Sequence, residues 1–593
     1  MGTSDWVVLG AISLTVSLCA IFGISYVVGK GWPIFHLPEE ILLSIILTPV
    51  VAILLVLLEA VIYRNSVLKA KDAQFVGPPT PSLRTVLHAI LSKITPKLTL
   101  KSIFGFSIVM AILWLPWYIA NFPGGTYWDT YYQMFQVYPE NHPIAVIPWA
   151  DIYDKTLTDA WLVDHHPVFT TFVYGAFGWI SDQLTGNWMA GVALFCILQG
   201  FAHNIVFTSA IAYMRKIGCP ALLNFISYCF FALMPFVSTW ALCMVKDSFF
   251  GLFYVPYFMF VFEIVRTHGK VMRKPRNAVL FVICALLICL TKKTGIFVCV
   301  ATGIVGVIAM AVQASRAKSL GDDSQARKNM KAAIKALAAQ GIVCLVTIAL
   351  VFPMILFPAL NIRAGGLQEA LGPLFQQTAR YIVDYEDDVT IKERNVISKV
   401  LDYERLEDEY EFDFEDSVKF QYNLDSTSEE LLDYLQVYVA QGLRHPDSYF
   451  AAIASLAGFY VAPTAYINIR MVTVDTKMGE EDRYMLWNPD ELDPLRNGLD
   501  EAYSAVAEIP GVNIPLLIVT YALWLPALLA YVAWRNRLRC LTLFIPPLVL
   551  LAFCVIAPVY DGRYVVPIFD AAPLFLCAIV VLTMQRIAKR STV

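Results

Sequence analysis

Long apolar stretches fill most of this chain and give way once, between Asn361 and Asn513, to a hydrophilic insert with 30 acidic and 12 basic residues. The remainder carries 32 Lys and Arg against 18 Asp and Glu, most of them in short loops between apolar stretches. Cytoplasmic loops of membrane proteins are enriched in Lys and Arg, so the insert is expected on the outer face. Hydrophobic residues make up 58% of the chain and charged residues 16%, too apolar a mixture for an ordinary soluble domain. The expected class is therefore an α-helical polytopic membrane protein. Its net charge of −4 is a sum of opposed local charges and points to no nucleic-acid partner. Most of the cysteines, Cys196, Cys229, Cys284, Cys344 and Cys554 among them, lie in apolar runs and none in the insert. They read as small core hydrophobes, without a disulfide framework. The first apolar run, Val7 to Val28, lacks a basic leader and is expected as a retained helix rather than a signal peptide.

A hydrocarbon core of about 30 Å takes roughly 20 apolar residues as helix. Candidate stretches run approximately over 7–29, 41–63, 102–120, 188–213, 220–243, 248–265, 277–291, 296–313, 338–358, 513–534, 541–558 and 565–585, with a shorter one at 167–182. The loop 64–101 carries Arg64, Lys69, Lys71, Arg84, Lys93, Lys97 and Lys101 and is expected in the cytoplasm. If 167–182 crossed the membrane, the basic segments 266–276 and 314–337 would lie outside and the acidic insert inside. Kept at the outer interface, it leaves those segments, 214–216, 535–539 and the tail Arg586–Arg590 all cytoplasmic. The expected bundle thus has about 12 transmembrane helices, within a range of 11–13. Four regions follow: a hairpin with a basic linker over 1–101, a core over 102–360 with its first outer loop at 121–187, a mainly helical extracytoplasmic domain over 361–512, and closing helices over 513–593. Within the insert, amphipathic helices are expected at Leu367–Val383 and Glu429–Leu443, followed by a mixed stretch Phe450–Met471. No Walker-type or dinucleotide glycine loop occurs, which argues against ATP-driven transport by this chain alone.

Polar residues that interrupt the apolar pattern gather on the face assigned as outer. The first group runs from Gly124 to Gln133 and includes Tyr127, Trp128, Asp129, Tyr131 and Tyr132. A carboxylate among aromatics at a membrane edge is open to desolvation, which raises its pKa and suits a general base. An aromatic belt around a solvated Asp has the same composition. The second group is Asp164-His165-His166-Pro167. Adjacent histidines lack the spacing of a shared zinc site and read better as phosphate or hydroxyl contacts, while Asp164 is placed to cap a helix that opens with Pro167. The third comprises cations at expected outer helix ends: Lys246, Lys292, Lys293 and, in Asp561-Gly562-Arg563-Tyr564, Arg563. Snorkelling to headgroups would account for any one of them, but four cations at three helix ends on one face favour an anion site. Gln376 and Arg380 share one helix face through their four-residue spacing.

These features together resemble the GT-C superfamily of integral membrane glycosyltransferases. The carrying residues are Tyr127-Trp128-Asp129 after a transmembrane helix, Asp164-His165-His166-Pro167-Val168 at the end of the outer loop, and the late Asp561-Gly562-Arg563-Tyr564. The likeness covers roughly 102–585, and the single Pro167 departs from the double Pro common in relatives. The resemblance implies transfer of a hexosyl or pentosyl unit from a polyprenyl-phosphate-linked sugar to a glycan, lipid or protein acceptor, with inversion, outside a bacterial plasma membrane. Asp129 would then be the base, with Asp164 beside it in the catalytic set. His165, His166, Lys246, Lys292, Lys293, Arg380 and Arg563 would hold donor phosphate, and Tyr127, Trp128, Tyr131, Tyr132, Gln376 and Tyr564 would contact acceptor or sugar. Some relatives use a divalent cation; with Asp129 and Asp164 set 35 residues apart and no further clustered carboxylates, no resident metal or other cofactor is expected here. A transporter or flippase of anionic or lipid-linked substrates is the competing class, which internal repeats or paired broken helices would favour. A non-catalytic scaffold or receptor is the third.

Overall fold

The computed structural model describes residues 3–32, 48–54, 56–57, 60, 83–137, 160–319, 324–469, 486, 488–535 and 540–590. The chain opens with α1 (Thr3–Val28). Helix α2 (Leu100–Ala120) starts where the Thr99 side chain accepts from the Ser102 amide, which satisfies one of the free donors of a first helical turn. It is followed by the short strand β1 (Gly125–Thr126), helix α3 (Trp128–Gln136), strand β2 (Leu162–Asp164), α4 (Val168–Thr185) and α5 (Met189–Lys216). Then come α6 (Ala221–Leu233), α7 (Pro235–Ala241), strand β3 (Cys243–Met244), α8 (Lys246–Arg266), α9 (Pro275–Thr291), α10 (Gly295–Ser319) and α11 (Ser324–Val346), which continues in wider turns to Ala359. Strand β4 (Ile362–Ala364) leads into the insert, whose main helices are α12 (Gln368–Tyr385), α13 (Ile391–Val400), α14 (Ser428–Arg444), α15 (Pro446–Val461) and α16 (Asp493–Ala507). The chain closes with α17 (Leu525–Arg535), α18 (Leu541–Val555) and α19 (Val566–Arg590).

This is a helical membrane protein. Among the described residues, seven helices are long and apolar enough to cross a bilayer, or eight if α6 and α7, bent by 59° at Pro235, form one span. Helices α9 and α18, with 17 and 15 residues, are apolar but short, about 26 and 22 Å of rise against a core of about 30 Å. The expected span 41–63 falls mostly outside the described residues. Of the expected span 513–534, Pro515 sits in a separate short turn, and the helix runs from residue 518 through wider turns at Thr520–Trp524 into α17, whose first turn holds Pro526. Large side chains of α2 and α11, such as Ile112, Ile342, Leu350 and Met354, remain exposed, as lipid-facing positions do. Helices α8 and α19 pack on each other at the centre, where Phe258, Phe569 and Phe575 are fully buried.

Two of the expected insert helices fall within α12 and α14. A capping box at Thr427 and Glu430 starts α14, each side chain bonding the other's backbone amide. The third stretch is helical to Val461 and then, as far as residue 469, makes a turn at 463–464 and a single bridge from Tyr466 to Leu517. The insert is not a separate lobe on a tether: α15 lies along α1, with Gly23 so close to Gly458 that a methyl there would meet backbone.

Candidate functional site

Two pairs of very short parallel strands stitch distant segments together. Strand β1 pairs with β3, Gly125 opposite Cys243 and Thr126 opposite Met244. Asp129 follows the first strand and Lys246 the second, so this register sets them side by side. Strand β2 pairs with β4, Asp164 opposite Ala364, which brings His165 and His166 beside the start of α12. Helix α3 is anchored to both pairs: Thr130 Oγ1 donates to the Met244 carbonyl at 2.5 Å and Gln136 Oε1 accepts from the Val163 amide at 2.8 Å. Gly124, at φ +129°, sits where a side chain would strike Cys196 Sγ, so glycine is needed for the approach of β1 to α5.

The product is a charged cluster at one end of the bundle. Asp129 Oδ2 lies 2.7 Å from Lys246 Nζ and 3.2 Å from Arg563 Nη1, and Asp129 Oδ1 lies 3.9 Å from His166 Nε2. Lys246 Nζ also meets His166 Nδ1 at 3.0 Å. An ammonium can only donate, so Nδ1 is the bare nitrogen and Nε2 carries the proton that faces Asp129. Arg563 Nε reaches Asp561 at 3.3 Å and Asp247 at 3.9 Å, and Lys292 pairs with the fully buried Asp247. Lys293 bonds the Asp164 carbonyl and approaches its carboxylate at 3.2 Å. Tyr564 lies under both Lys292 and Arg563, at 4.9 and 5.0 Å from its ring, and Tyr127 faces Arg563 at 5.0 Å. Four cations thus meet four carboxylates. An anion entering this cluster must take a cation from a carboxylate.

The electrostatics correct one expectation. Burial alone would raise the Asp129 pKa, but Lys246 and Arg563 outweigh it and hold the carboxyl well below its usual range. Resting Asp129 is an ionised, weak base, and becomes a stronger one only when its cations are engaged elsewhere. Burial, then Lys246 and His165, push His166 well below the usual imidazole range. Burial is also the main cause that lowers His165 to about 4, against the pull of Glu369. Both histidines are therefore neutral near pH 7. Asp164 is raised, by burial first, with Lys293 opposing. Pro167 takes the cap position of α4 and has no side-chain donor or acceptor of its own, and the Asp164 carboxylate accepts from the Val168 amide in the first turn, as the sequence led one to expect.

Of the residues singled out in the sequence, Tyr127, Asp129, Asp164, His166, Lys246, Lys292, Lys293, Arg563 and Tyr564 come together. Tyr132 stands edge-on to His165 and His166, with ring centres 6.0 and 5.8 Å away. Trp128 is partly exposed in the first turn of α3. Tyr131 is turned away, buried with Met134, Tyr174 and Trp188. Gln376 and Arg380 are not brought to the cluster. Gln376 donates to the Glu411 carbonyl, and Arg380 ties Asp384 and the Gly31 carbonyl while stacking 3.8 Å from Trp32. Sequence reasoning missed Asp247 and Glu369 as members of the site. Glu369 lies 3.5 Å from His165 and 3.2 Å from Lys419. Asp247 could have been found as an acid at the mouth of an apolar helix; Glu369 is one of 30 acids in the insert, with no local signal to mark it.

The family model DUF6020, described as a family of unknown function, matches residues 2–592. The chain belongs to that family. The match runs through bundle and insert alike, so the α1 segment, the insert and the closing helices are parts of one family unit. No curated protein and no solved structure matches the chain.

Proposed function

We propose that this protein is a glycosyltransferase of GT-C type that moves a sugar from a polyprenyl-phosphate carrier to an acceptor on the outer face of a bacterial plasma membrane, with inversion. The observation that carries the reading is the clamp on Asp129 by Lys246, Arg563 and His166 at the end of the bundle. A carrier phosphate draws Lys246 and Arg563 to its own oxygens, and Asp129, relieved of two cations, gains basicity. Asp129 then takes the proton of an acceptor hydroxyl. The hydroxyl oxygen attacks the anomeric carbon from the side opposite the phosphate, and the bond from that carbon to the phosphate oxygen breaks with its electron pair passing to the phosphate. Lys246, Lys292 and Arg563 stabilise the charge that develops there. His166 holds Lys246 in place, and Tyr127 and Tyr564 present flat faces to Arg563. In this reading the bundle has 12 crossings, α4 stays on the outer side, and the donor reaches the site through the bilayer, since nucleotide sugars are cytosolic.

One observation favours the transporter reading. His203 on α5 and Asp570 on α19 are buried within spans and face each other at 3.9 Å, and ionisable pairs at such depth mark ion pathways in pumps and transporters. Binding and uptake separate the two. The purified chain in nanodiscs should be thermally stabilised by a polyprenyl phosphate, less so after Arg563→Lys, which keeps the charge but loses the two-pronged contact, and least after Arg563→Ala. Stabilisation by a soluble anion alone, with uptake of that anion into proteoliposomes, rejects the glycosyltransferase reading.

A further inference from the structure

Away from the charged cluster, three successive helices each supply one cysteine to a single point in the bundle. Cys289 near the end of α9, Cys299 in the first turns of α10 and Cys344 near the end of α11 are all buried. Their sulfur atoms lie within 4.8 Å of one another, and Cys289 and Cys299 are 3.7 Å apart. The convergence has a packing cause. Gly303 lets α11 come so close to α10 that a methyl there would meet Gln340 Nε2 at 2.9 Å and the Leu337 carbonyl at 3.0 Å. Gln340, one turn before Cys344, donates to the Cys299 carbonyl at 2.7 Å and locks the two helices in that register. Cys344 is fully buried although Val343 and Leu345 on either side of it are exposed. Its sulfur therefore points inward, from a helix whose neighbouring residues look outward.

Cysteines that only fill space in a bundle have no reason to meet as a group of three. Three sulfurs bound to one ion at about 2.3 Å stand about 4 Å apart, close to the spacing here. We propose that Cys289, Cys299 and Cys344 form a three-coordinate site for a soft monovalent cation, copper(I). Thiolate sulfur selects soft ions. Zinc in structural sites takes four ligands in a tetrahedron, and iron–sulfur clusters take four cysteines, whereas among the described residues no His, Asp or Glu joins these three sulfurs. Copper enters as copper(I), so no electron is exchanged. Each cysteine binds copper(I) as its thiolate and releases one proton to solvent. The site joins α9, α10 and α11, and its proposed role is to fix the turn that carries Lys292 and Lys293. It stands independently of the transferase reading.

The test uses the full chain, purified anaerobically in detergent, loaded with copper(I) and desalted against a copper(I) chelator. The expected result is about one copper per chain, with an X-ray absorption spectrum of three sulfur neighbours. Cys344→Ser and Cys344→Ala should each retain at least about tenfold less copper, while Cys196→Ser, which alters a buried cysteine elsewhere, should retain it. The wild-type spectrum stands on its own should the variants fold poorly. Copper absent from the wild-type chain, copper held equally by the triple variant Cys289→Ser/Cys299→Ser/Cys344→Ser, a four-ligand zinc site, or a Cys289–Cys299 disulfide in the purified protein would each overturn the proposal.

Discussion

Replacing Asp129 by Asn should move binding and turnover in opposite directions. Lys246 and Arg563 lie 2.7 and 3.2 Å from Asp129 Oδ2. At an effective dielectric of about 20, charges at those separations attract by roughly 5–6 kcal/mol each before solvation is counted. Hydration of the ions, at a carboxylate that still keeps 21% of its side chain exposed, returns most of that. A net of about 1–3 kcal/mol remains, and in Asp129→Asn it becomes available to an incoming anion. Polyprenyl phosphate should therefore bind roughly 5–150-fold more tightly to the variant. Turnover should nonetheless fall by about 10²–10⁴-fold, because the amide cannot accept the acceptor's proton. Titration calorimetry in nanodiscs reads the first quantity, and mass analysis of single-turnover products the second. Weaker carrier binding together with undiminished turnover would refute the clamp and leave Asp129 as a member of an aromatic belt.

Burial raises Glu415 to about 8, so between its ordinary value of 4.5 and about pH 8 the folded chain holds a proton that the unfolded chain has lost. Stability should then fall as pH rises through that window, by at most about 1.4 kcal/mol per unit, and Glu415→Gln should flatten that slope in thermal melts. Arg380→Ala should cost about 3 kcal/mol by leaving Asp384 unpaired in the insert, while the turnover of the remaining folded protein stays within a factor of about two; a large loss of turnover would place Arg380 back in the site. A single Cys at Thr267 or Lys270 should be shielded from an impermeant thiol reagent in intact cells, and one at Ser428 should react; the reverse pattern would put the charged cluster on the cytoplasmic side.

Much of the helical framework was legible because a helix that crosses a bilayer must be apolar along its length, so α1, α2, α5, α8, α10 and α19 stand out as runs. The bend at Pro235 in the stretch 220–243 was not, because hydropathy still reads as continuous across it. Most of the candidate site was legible for the same reason, since Lys246, Lys292 and Arg563 are charges with apolar sequence on both sides. What pairs with what was not. The strand pairs of two and three residues that bring Asp129 to Lys246 and His165 to Glu369 join segments more than 100 residues apart and leave no periodicity to read. The Asp129 pKa came out with the opposite sign for that reason: burial was visible locally, and its two cationic partners were not.

The lipid profile of cells with and without the gene for this chain reports directly on sugar transfer from a carrier lipid. Mass spectrometry of extracted carrier lipids should show a polyprenyl-phosphate-linked sugar accumulating in cells that lack the protein, and again in cells that carry only Asp129→Asn. Re-expression of the wild-type chain should clear it, with the sugar appearing on an outer-face acceptor. An unchanged set of carrier lipids in both strains, with every outer glycan intact, would contradict the account.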